Sequence, residues 1–184
     1  MRHAMSLLIL AVSAMNLDCS KSATGATDIH GGAADKRAFT ATITGGSFGS
    51  GGTFTSECPG QTCSANIAHS STFFSVYGYD FTAGCTRDLA IDLPPNPSLK
   101  TYVLAAARGT SGYINGNGSG AFIECSATGA SYITDANHVG TVTVTSFDAS
   151  TTTITGTFTF RAVNPNTGLT ASVTNGVFTG IFPF

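Results

Sequence analysis

From Phe39 onward the apolar residues of this chain recur at every second position, and that period decides what it can fold into. Phe39, Ala41 and Ile43 alternate with Thr40, Thr42 and Thr44. Val142 and Val144 stand opposite Thr141, Thr143 and Thr145 within the segment Val139 to Phe147, and Ile154, Phe158, Phe160 and Ala162 oppose Thr155, Thr157, Thr159 and Arg161. Successive side chains of a strand point to opposite faces, so each segment predicts a strand with one face in a core and the other in water. Threonine and aromatic residues suit that half-buried pleated surface. The same logic predicts strands from Phe73 to Phe81, from Arg87 to Leu93 with Leu89, Ile91 and Leu93 on one face, from Thr101 to Ala107, from Ala121 to Cys125 and from Ser131 to Thr134, with a short one around Tyr113-Ile114. Pro94-Pro95-Asn96-Pro97 ends the second of these, because proline cannot donate to a ladder. Leu169 to Thr174 and Val177 to Phe182 are expected to close the chain as a hairpin around Asn175-Gly176. Tyr102 to Arg108 has some helical propensity, but its flanks read as turns. The fold expected is all-β: an antiparallel β-sandwich or partly open barrel of seven or more strands, with Phe158 and Phe160 in its core.

The length, 184 residues, suits one domain, expected over residues 38–184. Only 10% of residues are charged, and eight Lys and Arg against ten Asp and Glu leave a formal charge of −2. That balance argues against a nucleic-acid partner, since phosphate binding needs a cationic surface. Thirteen Phe and five Tyr supply the apolar area for a core, while the lack of Trp removes the strongest sugar-stacking side chain. The glycine-rich stretches 45–52 and 109–120 read as surface loops.

The N-terminal segment reads as an address. Arg2 precedes the short apolar run Leu7 to Val12, too short to span a bilayer, and residues 1–18 are expected to be a signal peptide. Cys19 would then be the first mature residue and the site of lipidation, followed by a flexible tether over residues 19–37 that contains His30. Leu17 lies two rather than three positions before Cys19, and Asp18 occupies a place where a small residue is usual; cleavage after Ala14 with plain secretion, or a buried N-terminal helix, are the alternatives. Cysteine arithmetic favours the lipid anchor: of five cysteines, Cys19 is the odd one, and Cys58, Cys63, Cys85 and Cys125 can pair in three ways. The pairing expected is Cys58–Cys63 with Cys85–Cys125. These features predict an exported cell-envelope protein whose partner is the membrane, through its lipid, or alternatively a secreted one.

Little in the sequence points to catalysis. No serine sits in a G-x-S-x-G elbow, and His69 and His138 fall at strand edges. The spacing of Cys58 and Cys63 suits zinc, but in an oxidising compartment a disulfide is the better reading, and Asp80, Asp88 and Asp92 lack the ligand density of a calcium loop. No metal and no cofactor is expected. Asp88 and Asp92 share a strand face and read as solvated. Glu57 and Glu124 are the only glutamates, and a glycosidase pair would need them about 5–10 Å apart. Phe73, Tyr77, Tyr79 and Phe81 share one strand parity. Because the other parity (Phe74, Val76, Gly78, Asp80) is mixed, the odd positions are expected to face the core; were Tyr77 and Tyr79 exposed instead, they would form a binding face for a surface glycan, peptide or protein. The function expected is a non-enzymatic envelope or secreted β-domain, with a glycan- or peptide-binding module as the alternative.

Three segments carry a family likeness: Gly140-Thr-Val-Thr-Val-Thr145, Ile154-Thr-Gly-Thr-Phe-Thr-Phe160 and Val173-Thr-Asn-Gly-Val-Phe178, together with the strand Phe39-Thr-Ala-Thr-Ile43. With them the chain resembles a family of small bacterial lipoproteins known only as a domain of unknown function, over roughly residues 38–182. The resemblance implies an export signal, a β-domain and a C-terminal T-N-G-x-F hairpin. It implies no catalytic residues.

Overall fold

The structure is a computed structural model that describes residues 38–181 apart from 59–60, 63–64, 82–84, 109–113, 115, 117 and 149. The expected signal peptide, Cys19, the tether, Cys63 and Tyr113 therefore lie outside the described residues, as does the pairing Cys58–Cys63. In chain order the strands are β1 (Phe39–Gly45), β2 (Gly52–Thr55), β3 (Glu57–Cys58), β4 (Gln61–Thr62), β5 (Asn66–His69), β6 (Phe74–Asp80), β7 (Arg87–Leu93), β8 (Thr101–Leu104), β9 (Gly120–Cys125), β10 (Ala130–Ile133), β11 (Gly140–Asp148), β12 (Thr153–Val163) and β13 (Thr170–Ile181). A single 3-10 turn, Gly46–Phe48, is the one helical element among the described residues. Tyr102 to Arg108 starts as β8 and continues as irregular chain, so its helical propensity yields to the pairing of β8 with β11.

Eleven strands form one antiparallel sheet in the order β2-β1-β13-β12-β10-β9-β7-β6-β5, with β11 added to β12 and β8 to β11; β3 and β4 make a separate ribbon. The long strand β12 joins the two halves. Most of it pairs with β11, while its last residue, Val163, pairs with Ile133 of β10. A bridge between Ala65 and Gly180 brings the chain just before β5 against the end of β13, so the sheet curls into a half-barrel. The partly open barrel is the expected architecture.

The inward stripes meet in one core. Phe39 packs on Phe54 and Phe158 with ring centroids 5.6 and 5.5 Å apart, and Leu89, Ile91, Leu93, Ile123 and Phe178 are wholly buried. Phe158 and Phe160 are each 4% exposed, as their alternation predicts. The C-terminal hairpin is not formed. Asn175-Gly176 lies inside the continuous strand β13 as a bulge: the register against β12 slips between Phe158 and Phe160, and that against β1 between Thr40 and Thr42. Asn175 takes φ 53°, a left-handed conformation that asparagine tolerates in a bulge as well as in a turn. Gly176 is required because a Cβ there would stand 2.5 Å from the Phe158 ring.

Two cross-links tie the far half together. Asp80 and Arg87, directly opposite in the β6–β7 pairing, form a buried ion pair; Arg87 also donates to the Thr53 carbonyl at 2.6 Å, and Asp80 accepts from the Thr55 amide at 3.1 Å, which docks β2 on this hairpin. Cys85 and Cys125, 40 residues apart with Cα atoms 5.5 Å from each other, form the expected disulfide between neighbouring strand ends. On chain-entropy grounds a loop of that length adds roughly 4 kcal/mol.

Candidate binding face

The faces of β6 are decided by its neighbour. Phe74, Val76, Gly78 and Asp80 stand opposite Leu93, Ile91, Leu89 and Arg87 of β7, and residues directly opposite in a sheet share a face. The buried leucines and isoleucine of β7 therefore carry the even positions of β6 into the core. The two residues that made this parity look mixed both have an inward role: Gly78 lets Phe39 approach to where a Cβ would be 2.5 Å from it, and Asp80 pairs with Arg87. The expectation that the odd positions face the core is thus overturned. Tyr79 is 39% and Phe81 50% exposed, and Phe73 and Tyr77 are half-buried. The Tyr77 and Tyr79 rings meet edge to face at 5.8 Å.

Register extends this outer face across β5, β6, β7, β9 and β10. One row runs Asn66, Tyr77, Ala90, Phe122, Ile133; the next runs Tyr79, Asp88, Glu124, Ser131. A third contains Ser75, Asp92 and Gly120. The third row is covered by the connection between β8 and β9. Arg108 donates from Nε to Asp92 Oδ2 at 2.7 Å and from Nη2 to Oδ1 at 2.8 Å, and its guanidinium lies 4.9 Å from the centre of the Phe122 ring. The Ile114 amide adds a bond to Asp92 Oδ2 at 3.3 Å. Asp92 and Ser75 are wholly buried in consequence. Asp88 and Asp92 do share a face, as the sequence predicts, but that face is not solvated along its length.

Asp88 sits at the boundary. It is half-buried, its Oδ1 is buried with no hydrogen-bond partner, and Glu124 stands directly opposite. Burial pushes its carboxyl up to about 6 from the ordinary 3.8; Arg108 pulls the other way, and the charges of Glu124 and Asp92 add to the rise. Glu124 therefore faces Asp88, while the side chain of Glu57 lies outside the described residues. His69 is exposed at the end of β5 with its ring 6.2 Å from that of Phe74, and His138 closes a turn on Asp135, Nδ1 to Oδ1 at 2.9 Å. Among the described residues no three metal-ligating side chains gather. Arg108 and Phe122 were not legible as site residues. The available signal was Asp92, a charge between Ile91 and Leu93 that needed a cation from a chain with few.

The family described as Domain of unknown function (DUF6252) matches residues 60–182 of this chain. The chain belongs to that family. No curated protein and no solved structure matches it. The matched DUF6252 region takes in β4 to β13, and with them the disulfide, the Arg108–Asp92 pair and the whole row from Tyr79 to Ser131. It begins after β1, β2 and β3; from outside the matched span β1 pairs with β13, and β2 with β1.

Proposed function

We propose that this DUF6252 chain is a non-enzymatic, exported glycan-binding domain held at the bacterial cell envelope by a lipid on Cys19. The observation that carries the binding reading is the outward Tyr77–Tyr79 pair beside Asp88 and Glu124. The C–H-rich face of a pyranose stacks on an aromatic ring, and carboxylates accept its hydroxyls, so a ring and an acceptor in one row suit a sugar. The surface is a sheet face rather than an enclosed cavity, which suits an extended polymer. Export is supported by the apolar run Leu7 to Val12 and by the Cys85–Cys125 disulfide, which belongs to an oxidising compartment.

Affinity electrophoresis through gels cast with a panel of cell-surface and plant polysaccharides tests the reading. At least one polysaccharide should retard the protein, and Tyr79→Ala should restore its mobility without changing its melting temperature by more than a few degrees. Retardation by none, with capture on a peptide array that Tyr79→Ala abolishes, would replace the glycan with a peptide. The anchor is tested separately: Cys19→Ala should move the protein from the membrane to the soluble fraction, because acyl chains supply about 0.8 kcal/mol per buried CH₂. A wild type found in the medium and beginning at Met15 would remove the lipid from the account.

A further inference from the structure

We infer that the sugar bound on this face carries a free primary ammonium group, seated between the carboxylates of Asp88 and Glu124 and against the Tyr79 ring. The inference rests on the glycan reading above and deepens it. Asp88 and Glu124 occupy directly opposed positions on neighbouring strands. Like charges so placed repel and cost stability. Arg108 offsets this repulsion only in part, because both carboxylate oxygens of Asp92 engage its guanidinium. Asp88 Oδ1 is buried without a hydrogen-bond partner, so this carboxylate is left under-satisfied by the protein itself. An ammonium carries three N–H donors and one positive charge, which is the complement of two acceptors bearing like charge. Tyr79, across the strand from Asp88 and 39% exposed, offers a ring face for the same cation. A metal ion is a poorer match, since the row brings two carboxylates together and the described residues hold no third ligand beside them.

The groups facing Asp88 are Arg108 on the covering connection, Glu124 on β9, Tyr79 on β6 and Asp92 on its own strand. Free Asp88 titrates near 6, so an arriving cation should expel its proton at that pH. The test is calorimetry at pH 6 with a glucosamine hexasaccharide and its fully N-acetylated counterpart, in two buffers of different ionisation enthalpy. The amine form should bind about tenfold or more tighter, with proton release that disappears in Asp88→Asn, and Asp88→Asn and Glu124→Gln should each erase the preference. Both substitutions remove a repulsion, so the variants should fold and melt no lower than the wild type. Equal binding of the two sugars, lost in Tyr79→Ala, would overturn the ammonium and leave the glycan reading intact. Binding of neither, while another polysaccharide still retards the protein through Tyr79, would overturn it likewise. Binding of neither, with no polysaccharide retarding the protein, would remove the glycan reading and this inference together.

Discussion

The two outer faces of the sheet are built on the same alternation and have opposite character. Over β8, β11, β12, β13, β1 and β2 one row runs Thr101, Thr143, Thr157, Val177, Thr40, Thr55, and the next holds Val103, Thr141 and Thr159 on one side and Thr174, Thr42 and Thr53 on the other. Hydroxyls pair across strands, Thr101 with Thr143 at 2.8 Å and Thr145 with Thr155 at 3.1 Å, and the charges in these strands' outward rows are Arg161 and, at the end of β11, Asp148. Over β5, β6, β7, β9 and β10 the outward rows hold aromatic rings and three carboxylates, partly roofed by Arg108. A threonine face meets every requirement of a solvated sheet with neighbours and water. The other face buries charge and opposes like with like, which strand formation alone never asks for. The difference separates scaffold from site.

The most forceful way to break this comparison is to delete one arginine from each face. Arg108→Ala leaves Asp92, 0% exposed, as a buried carboxylate without its partner, and should cost roughly 3–5 kcal/mol. Arg161 is exposed, with one bond to Thr170 Oγ1 at 3.3 Å, and Arg161→Ala should change stability by no more than about 0.5 kcal/mol. Urea denaturation of both variants measures the contrast; equal losses would mean that Arg108 is no more structural than a surface residue.

What the sequence disclosed follows the same division. The threonine strands were legible nearly to the residue, because their alternation has no competing signal: β1, β11 and β12 begin and end close to where Phe39, Val139 and Ile154 predict. On the other half parity was misread at β6, since Gly78 and Asp80 look out of place in a core until Phe39 and Arg87 are seen beside them. Yet Leu89, Ile91 and Leu93 already fixed the inward face of β7, and a β6–β7 hairpin pairing would have carried it across. Arg108 lies in a connection without periodicity, so nothing local told that it folds back over Asp92. Asn175-Gly176 misled for another reason. A left-handed residue followed by glycine satisfies a tight turn and a bulge alike, and only the unbroken partners β1 and β12 decide between them.

That bulge gives the next test, on the threonine side. Gly176→Ala puts a methyl group 2.5 Å from the Phe158 ring, inside a packed core, and should cost about 1–3 kcal/mol. Gly49, where a Cβ meets nothing within 4 Å, isolates the remaining contribution: it has φ 58°, so Gly49→Ala suffers the backbone cost without the clash. Thermal unfolding of the two variants should rank Gly176→Ala below Gly49→Ala. The reverse order would remove close approach as the reason for glycine in β13.

Two aspartates sharpen the contrast through pH. Asp88 has a carboxyl raised to about 6 in the folded chain, above its unfolded value, so folding favours its protonated form. Stability from this group should rise as pH falls from about 7 towards 4, by about 2 kcal/mol at most. Asp148, the last residue of β11, is half-buried and accepts from Ser150 Oγ at 2.6 Å and from the Ser150 and Thr151 amides at 2.8 and 3.3 Å. Those bonds, led by the Ser150 hydroxyl, lower its carboxyl to about 2, so its contribution is present above pH 4 and lost as pH falls towards 2. Melting temperatures from pH 2 to 7 should show Asp88→Asn flattening the upper limb and Asp148→Asn the lower one. A single aspartate governing both limbs would contradict the assignment.

The smallest effect is the one that defines a scaffold face. Thr143→Val removes a hydroxyl that pairs with Thr101 on a half-exposed surface and replaces it with a side chain of equal shape and good β-propensity. The lost bond is one that water can supply to Thr101, so the change in stability should stay within about 0.5 kcal/mol, and retardation by polysaccharide should be unaltered. The matching change on the opposite face, Tyr79→Phe, also removes one hydroxyl and keeps the ring, and it should leave stacking intact while weakening any bond the sugar makes to the phenol. If Thr143→Val abolished binding and Tyr79→Phe with Tyr79→Ala did not, ligand recognition would belong to the threonine rows, and the assignment of scaffold and site to the two faces would have to be exchanged.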